Sequence, residues 1–265
     1  MTALLLELRG LCGGYDPIQI FQDVDLSVPA GGAVGFFGPN GHGKTTLMKT
    51  VSGVLEPWRG DVIFEGRRMN RGADRGSRRW RNFNYDAVVP RRMDPKAVAR
   101  AGLIHVAQGS LLFPEMTVEE TLSIAPAAAA ARAGGRAEEA RRREEVEALF
   151  PRLAERRRHK ARYLSGGERQ MLSIAAGLMA APKLLILDEP TLGLSPRLRG
   201  ELCDAIHRVR AAGTPLILID QDVGFLKELI EELYLFDHGR ISHRLQRDEV
   251  PSHDRLMAML FGEPA

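Results

Sequence analysis

Hydrophobic residues in this chain form short runs that are interrupted by glycine, proline and charged residues. Apolar runs of this length between such breaks are typical of β-strands. The predicted strands are residues 4–11, 21–28, 33–37, 62–65, 103–107, 184–187, 216–219, 233–237 and 241–245. Gly13 and Gly14 predict a turn between the first two strands. The run 184–187 is wholly apolar, which suits a strand buried on both faces of a parallel sheet.

Helical patterns lie in the second half of the chain. Ser165 is a favourable N-cap and Glu168 completes a capping box, so a helix is predicted to begin at Gly166. Its apolar side consists of Met171, Leu172, Ile174, Ala175, Leu178 and Met179. Mixed charges predict exposed helices within residues 125–162, with a break at Gly134 and Gly135, and a short terminal helix is predicted at 254–261.

The first turn of the helix after Ser165 contains two adjacent glycines, Gly166 and Gly167. Glycine in a helix is less favourable than alanine by about 1 kcal/mol. A helix N-terminus has unpaired N–H groups and partial positive charge, so glycine there permits close approach of an anion. The glycine pair therefore indicates a phosphate-facing helix end.

Two adjacent carboxylates, Asp188 and Glu189, follow the strand 184–187, and Pro190 ends it. Successive strand side chains point to opposite faces, so these groups are predicted to divide two tasks rather than to share one ion. One could hold a hydrated Mg²⁺ ion while the other orients a water molecule.

A second phosphate signal follows the strand 33–37. Residues 38–45 match the P-loop pattern G-x-x-x-x-G-K-[ST], between a strand and a helical segment at 46–51, which is the context that the motif requires. Loop amides are expected to surround phosphates, Lys44 to reach the β and γ oxygens, and the Thr45 hydroxyl to bind Mg²⁺. His42 has no second histidine or cysteine at metal spacing beside it, so packing or a hydrogen bond is the expected role.

The chain's length and composition limit its class. Its 265 residues suit one α/β domain with an embedded subdomain. It has two cysteines, Cys12 and Cys203, without paired spacing, which favours a reducing cytosol. With no signal pattern and no apolar stretch that could cross a bilayer, membrane association is expected to require a partner.

The motifs together resemble the ATP-binding subunit of an ABC transporter. Residues 164–168 match the family signature, residues 184–189 its Walker B strand, Gln108 its Q-loop and residues 191–196 its D-loop region. Tyr15, which could otherwise be a turn aromatic, matches the adenine-stacking residue.

The resemblance is closer to the F-type (LivF-like) ATPase subunits of branched-chain amino acid importers. It rests on residues 108–109, 113–120, 149–153, 155–157 and 193–196. In that group the D-loop aspartate and the switch histidine are usually replaced. In this chain Ser195 and Gln221 occupy those positions.

This resemblance implies one domain over residues 1–265: a P-loop NTPase (RecA-like) α/β core, an N-terminal antiparallel β-subdomain and an inserted α-helical subdomain at about 109–165. It implies Glu189 and Gln221 as catalytic residues, with Mg²⁺ held through Thr45, Gln108 and Asp188. The expected ATP contacts are Tyr15, Gly38, Pro39, Asn40, Gly41, His42, Gly43, Lys44, Thr45, Thr46, Gln108, Ser165, Gly166, Gly167 and Glu168.

The family also implies partners, because two ATP molecules are held between two such subunits. Ser165, Gly166 and Gly167 are therefore expected to act on ATP held by a second ABC ATPase subunit, either a related G-type subunit or a second copy. Transmembrane permease subunits, and indirectly a solute-binding protein, complete an importer at the cytoplasmic face of the inner membrane. Branched-chain amino acids, urea and short amides all remain possible substrates.

One departure is an arginine-rich segment at about 68–95, which makes the chain longer than the family pattern by about two dozen residues. Its basic residues and its aromatic residues Trp80, Phe83 and Tyr85 are compatible with contact to nucleic acid or anionic lipid. A solvated surface excursion is favoured. A soluble ATPase acting on nucleic acid stays a lesser alternative, and the intact Lys44, Asp188 and Glu189 argue against a non-enzymatic scaffold.

Overall fold

The computed structural model describes residues 3–70, 93–109, 112–126 and 135–261. Most of the predicted basic insertion, residues 71–92, lies outside these ranges, with the arginines and aromatic residues that define it. Residues 127–134, which include the predicted helix break at Gly134, also lie outside them.

An antiparallel sheet opens the chain, as the expected N-terminal β-subdomain requires. Its four strands, in the spatial order β2-β1-β4-β5, are β1 (Leu4–Tyr15), β2 (Ile18–Pro29), β4 (Arg59–Phe64) and β5 (Arg67–Arg68).

The predicted turn at Gly13 and Gly14 is wrong, because both glycines lie inside β1 and the turn follows Tyr15. A Cβ atom on Gly13 would lie 2.7 Å from the Phe21 ring, and one on Gly14 would lie 2.1 Å from the Ile18 carbonyl oxygen. These glycines allow close approach of β1 and β2 rather than a reversal of the chain.

The second sheet is the α/β core. Its six strands have the order β10-β9-β3-β8-β7-β6, in which only the pairing of β10 with β9 is antiparallel. The strands are β3 (Ala33–Phe37), β6 (Leu103–Val106), β7 (Leu184–Asp188), β8 (Leu216–Ile219), β9 (Glu232–Asp237) and β10 (Arg240–Gln246). This arrangement confirms the predicted P-loop NTPase class of fold.

Helices in the described ranges surround this sheet. They are α1 (Lys44–Val51), α2 (Pro95–Ala101), α3 (Val118–Ile124), α4 (Arg136–Leu149), α5 (Pro151–Glu155), α6 (Gly166–Met179), α7 (Pro196–Ala211), α8 (Val223–Leu229) and α9 (His253–Phe261). The predicted start of α6 at Gly166 is confirmed, including the capping box of Ser165 and Glu168. Helices α3, α4 and α5 pack against α6, forming a helical layer at one side of the core.

Strand β7 separates two apolar clusters, as expected for a strand buried on both faces. Leu185 and Leu187 join a cluster with helices α6, α7 and α8, whereas Leu184 and Ile186 join a cluster with α1 and the antiparallel sheet. Alternate side chains of one strand thus hold the two layers together. Among the described residues, no helix combines the length and the apolar character needed to cross a membrane.

Candidate functional site

The P-loop connects β3 to α1 at the carboxyl edge of the parallel strands. A Cβ atom on Gly38 would lie 2.0 Å from the Phe236 carbonyl oxygen, and Gly43 has a φ of 101°, so both positions require glycine. The Lys44 side chain is buried, and its Nζ atom donates hydrogen bonds to the carbonyl oxygens of Gly38 at 2.6 Å and Pro39 at 2.9 Å. Burial lowers the pKa of Lys44, and three nearby carboxylates oppose that change.

Asp188 ends β7 beside this loop and is 1% exposed. Neither of its carboxylate oxygens has a hydrogen-bond partner among the described residues. Burial raises the pKa of Asp188, while the nearby Thr45 hydroxyl and two lysines lower it. Hard cations such as Mg²⁺ prefer oxygen ligands. The unpartnered carboxylate of Asp188 and the nearby Thr45 hydroxyl supply such oxygens.

His105, on the neighbouring strand β6, lies behind Asp188. Its Nε2 atom is 4.0 Å from Asp188 Oδ2 and has no partner among the described residues, while its Nδ1 atom is 3.1 Å from the Ser52 hydroxyl. Burial lowers the pKa of His105 to about 4. The imidazole is therefore neutral at physiological pH and adds no positive charge beside the carboxylate.

Glu189 follows β7 with a left-handed backbone, with a φ of 48°, so it does not continue the alternation of the strand. The prediction that strand alternation separates the two carboxylates is wrong, because β7 ends at Asp188 and Glu189 lies outside the strand. The separation itself is present: the Gln108 Nε2 atom donates to Glu189 Oε2 at 2.6 Å, and the Gln221 Nε2 atom lies 3.5 Å from Glu189 Oε1. Gln221 also donates to the Asn40 side chain of the P-loop at 2.8 Å.

Asp220 follows β8 at the same sheet edge and was not among the predicted site residues. It is 4% exposed and accepts hydrogen bonds from the Thr191 hydroxyl at 2.7 Å and from the Asp222 amide at 2.9 Å. Burial raises the pKa of Asp220, against the effect of these donors. The available signal was its position directly after a predicted parallel strand, where the carboxyl edge gathers functional groups.

The start of α6 forms a separate face. The Glu168 carboxylate accepts from the Ser165 amide at 2.8 Å and pairs with Arg156 at 3.1 Å. Gly166 is exposed, and a Cβ atom on it would meet only the end of Arg169 at 4.0 Å. No hydrogen bond or ion pair among the described residues joins Ser165, Gly166 or Glu168 to the P-loop.

Gly167 differs from its neighbour because it is buried. A Cβ atom on it would lie 2.5 Å from Leu198 and 3.1 Å from Leu194. This glycine therefore permits α6 to pack closely on α7. Of the two glycines that sequence reasoning assigned to an anion, only Gly166 lacks a packing role in the described chain.

Two further predicted residues lie at the edges of the site. Tyr15 ends β1 and is 45% exposed. His42 makes the hydrogen bond that was expected of it, with its Nδ1 atom 2.9 Å from Asp237 Oδ1. A second histidine nevertheless lies beside it, because the fold brings His238 within 4.5 Å between ring centroids. Sequence spacing missed this neighbour, since the two histidines are far apart along the chain.

Comparison with known proteins identifies the family of this chain. The family model described as ABC transporter matches residues 21–192. The chain is 32% identical over 231 residues to the high-affinity branched-chain amino acid transport ATP-binding protein BraG of Pseudomonas aeruginosa, covering 86% of each chain. It is 29% identical to the probable branched-chain amino acid transport ATP-binding protein LivF of Archaeoglobus fulgidus, covering 97% of this chain and 99% of that one.

Other similar proteins carry names for other solutes. The glutamine transport ATP-binding protein GlnQ of Escherichia coli is 29% identical, over 90% of both chains. Among solved structures, an ATP-binding subunit of an ABC transporter aligns with a TM-score of 0.78 at 27% identity, covering 97% of this chain and 99% of that chain.

Proposed function

This chain belongs to the ABC transporter family, and from that premise we propose that it energises a solute importer with the residues gathered at the P-loop. It is an ATPase cassette, in the class of the ATP-binding subunits of importers. One observation carries the proposed division of labour. At one edge of the parallel sheet, Gln108 and Gln221 both donate to Glu189, and the charges of Glu189 and Asp188 act on Lys44.

Phosphate binding is assigned to the P-loop and the N-terminus of α1. The loop amides and Lys44 would hold the β- and γ-phosphates, because the helix N-terminus and the ammonium group both favour anions. The Lys44 Nζ atom now donates to two carbonyl oxygens of its own loop. We expect it to exchange these contacts for phosphate oxygens.

Magnesium is assigned to the Thr45 hydroxyl, the Asp188 carboxylate and the Gln108 amide oxygen. The unpartnered, buried oxygens of Asp188 support this assignment. When bound, Mg²⁺ would neutralise charge on the phosphate oxygens as phosphoryl transfer proceeds. Gln108 could contact both Glu189 and Mg²⁺, because its amide nitrogen donates to Glu189 and its oxygen has no hydrogen bond to any residue in the described ranges.

Glu189 is assigned to the attacking water. Its carboxylate is oriented by Gln108 on one side and lies near Gln221 on the other. A carboxylate held in this way can accept a hydrogen bond from water and polarise it towards the phosphate. Gln221 can add a hydrogen bond to water or phosphate but carries no titrating proton.

The exposed start of α6 is assigned to the ATP of a second ABC ATPase subunit. Gly166 is open to solvent, and the Ser165 side chain is exposed. Among the described residues this helix end has no hydrogen bond to its own P-loop, which supports a contact with another subunit. That partner is either a G-type relative or a second copy of this chain.

The helical layer offers a groove for a permease segment. A cavity of about 720 Å³ lies at the start of α3, lined by Glu119, Glu120, Ile124 and Arg158 among others, and Phe113 nearby is 63% exposed. An exposed aromatic residue beside a mixed apolar and acidic groove suits a helical segment of a membrane partner. The protein is therefore placed, in this proposal, at the cytoplasmic face of the membrane through its permease.

Branched-chain amino acids are the proposed substrate class, with urea and short amides as alternatives. BraG and LivF support this class, together with the Ser195 and Gln221 replacements. Other similar proteins are named for glutamine, arabinose and Fe(3+). The substrate is set mainly by the permease and the solute-binding protein.

The decisive experiment is detergent purification of the tagged chain from membranes that contain its permease. We expect stable copurification with membrane subunits and ATP hydrolysis stimulated by the loaded solute-binding protein. Lys44→Ala should keep the subunits together but lose nucleotide affinity. The importer assignment would be overturned if the chain purified without membrane subunits and its ATP hydrolysis were stimulated by nucleic acid.

A further inference from the structure

Two imidazoles meet one carboxylate on the outer side of the P-loop. The Nδ1 atoms of His42 and His238 lie 2.9 Å and 2.7 Å from the same oxygen, Asp237 Oδ1. The three donor atoms all lie within 4.8 Å of one another. The His42 and Asp237 side chains are 19% and 22% exposed, whereas His238 is 78% exposed. We refer to these residues as the histidine cluster.

The fold holds the two halves of this cluster in place. His42 lies in the P-loop between Gly41 and Gly43, which have φ angles of 83° and 101°. The Gly239 amide donates to the His42 carbonyl oxygen at 3.1 Å, so the β9–β10 turn is fastened to the loop by the backbone. His238 adopts a φ of 42°, a strained conformation for a histidine that persists only where surrounding contacts impose it.

A hydrogen-bonding role alone leaves this arrangement poorly explained. Both Nδ1 atoms face the same carboxylate oxygen, and the His238 amide also approaches His42 Nδ1, at 3.3 Å. One imidazole nitrogen cannot both donate to the carboxylate and accept from the amide, because it carries either a proton or a lone pair. A cation bound between the two Nδ1 atoms and the Asp237 carboxylate would take one lone pair from each of these three groups.

The donor set favours a borderline divalent ion over a hard one. Imidazole nitrogen and carboxylate oxygen are ordinary Zn²⁺ ligands, whereas Mg²⁺ and Ca²⁺ prefer oxygen alone. Zn²⁺ bonds of about 2.0–2.1 Å place tetrahedral ligands roughly 3.3 Å apart. The observed separations of 2.7 and 2.9 Å reach that value by small movements, which the exposed His238 side chain can make.

We propose that the histidine cluster binds one Zn²⁺ ion, or a similar first-row divalent ion, through Nδ1 of His42, Nδ1 of His238 and the Asp237 carboxylate. Water completes the tetrahedral coordination. Any proton on either Nδ1 atom leaves to solvent when the ion binds. The ion links the P-loop to the β9–β10 turn and is separate from the Mg²⁺ position at Asp188.

Another donor group among the described residues, Cys203 with His207 and Glu228, is less suited. Burial, followed by the hydrogen bond to Glu228, raises the pKa of the Cys203 thiol to about 12. Zinc requires the thiolate, so this group opposes binding at neutral pH. It serves as an internal comparison.

The test is a titration of the protein with Zn²⁺, in the absence of a polyhistidine tag and of nucleotide. Binding is measured by calorimetry or by competition with a chromogenic chelator. Wild-type protein should bind one equivalent. His238→Ala and His42→Ala should each weaken that binding by ten-fold or more. The exposed His243, on β10, provides the matched control, and His243→Ala should leave the affinity unchanged.

A second readout separates binding from misfolding. Zn²⁺ should raise the melting temperature of wild-type and Cys203→Ser protein, because an ion that binds the folded state stabilises it. That rise should be absent in His238→Ala, whose own melting temperature without metal should match the wild type. Wild-type protein without stoichiometric binding, or His238→Ala and His42→Ala with wild-type affinity, would overturn the proposal.

Discussion

Glu189 is the residue on which the proposed hydrolysis depends most. Its carboxylate is held by Gln108 at 2.6 Å, in a left-handed turn directly after the buried strand β7. The neighbouring Asp188 is deeper and has no hydrogen-bond partner among the described residues. The two acids therefore differ in partners, burial and expected role although they are adjacent in sequence.

Glu189→Gln should retain ATP binding and lose hydrolysis by about 100-fold or more, because the amide oxygen can still accept from Gln108 but a neutral amide polarises water poorly. Nucleotide binding and phosphate release, measured separately on purified protein, check this. Glu145→Gln on α4, an exposed position, is the matched control and should hydrolyse normally. Full activity in Glu189→Gln would remove Glu189 from the catalytic role.

Gln221 gives a second prediction, on pH dependence. It donates to Asn40 at 2.8 Å and cannot titrate, whereas histidine has a pKa near 6.5. Turnover of the wild type should show no control by a group near pH 6.5, and Gln221→Ala should lower kcat about ten-fold without changing the shape of the profile. Rates measured from pH 5.5 to 8.5 decide the matter. A transition near pH 6.5 that disappears in Gln221→Ala would contradict it.

At the scale of elements, the start of α6 combines a cap with close packing. The capping box of Ser165 and Glu168 fixes the helix end, and the Arg156 guanidinium pairs with the same carboxylate. Burial raises the pKa of Glu168, but the hydrogen bonds with Ser165 and the charge of Arg156 together lower it by more. The net pKa therefore lies below its usual value. The ionised form thus stabilises the fold.

Glu168→Gln can keep the capping hydrogen bond to the Ser165 amide but removes the charge and with it the ion pair with Arg156, so it should lower the free energy of unfolding at pH 7 by roughly 1 kcal/mol. Because the folded pKa is depressed, this contribution is complete above about pH 4.5 and is lost as the pH falls below it. Denaturant unfolding of both proteins between pH 3 and 7 tests the sign. A difference that stays constant through that range would contradict the assignment. Glu120→Gln, in the exposed capping box of α3, should have a smaller effect.

The two glycines of α6 should separate in stability measurements. Gly167→Ala places a methyl group against Leu198 and Leu194 and should destabilise the fold by about 1 kcal/mol or more. Gly166→Ala meets no such obstacle, and alanine's helix propensity should leave stability equal or slightly higher. Thermal and denaturant unfolding compare them. Equal losses in the two variants would show that Gly167 is not a packing position.

At the scale of the whole molecule, the site is open on one side. The P-loop edge and the start of α6 belong to one chain but share no hydrogen bond or ion pair in the described ranges. A second subunit that brings its own α6 to this P-loop would complete both sites by symmetry.

Gly166→Asp tests that assembly. An acidic residue at a helix N-terminus is favourable for the helix, yet it would repel phosphate on a facing subunit. In the Glu189→Gln background, ATP should drive association with the partner subunit, or with a second copy, and Gly166→Asp should abolish it without loss of melting temperature. Size-exclusion chromatography with and without ATP measures this. Gly200→Asp, on an exposed and sterically open helix position, is the control and should associate normally.

Much of the local structure could be predicted because its causes are local. The capping box fixed the first residue of α6, and apolar runs indicated the core strands to within a few residues. The prediction of a turn at Gly13 and Gly14 was wrong because these positions need glycine for close contact with the next strand. The contacting groups are the Phe21 ring and the Ile18 carbonyl. A glycine signals freedom or close approach, and the sequence does not distinguish them.

The sequence by itself determined the chemistry: a P-loop lysine, two carboxylates after a buried strand, and a capped helix with glycine at its start. These are short-range patterns whose spacing reflects backbone geometry. Tertiary structure alone decided which groups meet. It added Asp220 to the site, separated Gly166 from Gly167, and brought His238 to His42. Such contacts join residues on different elements, and only packing of the sheets and helices sets those distances.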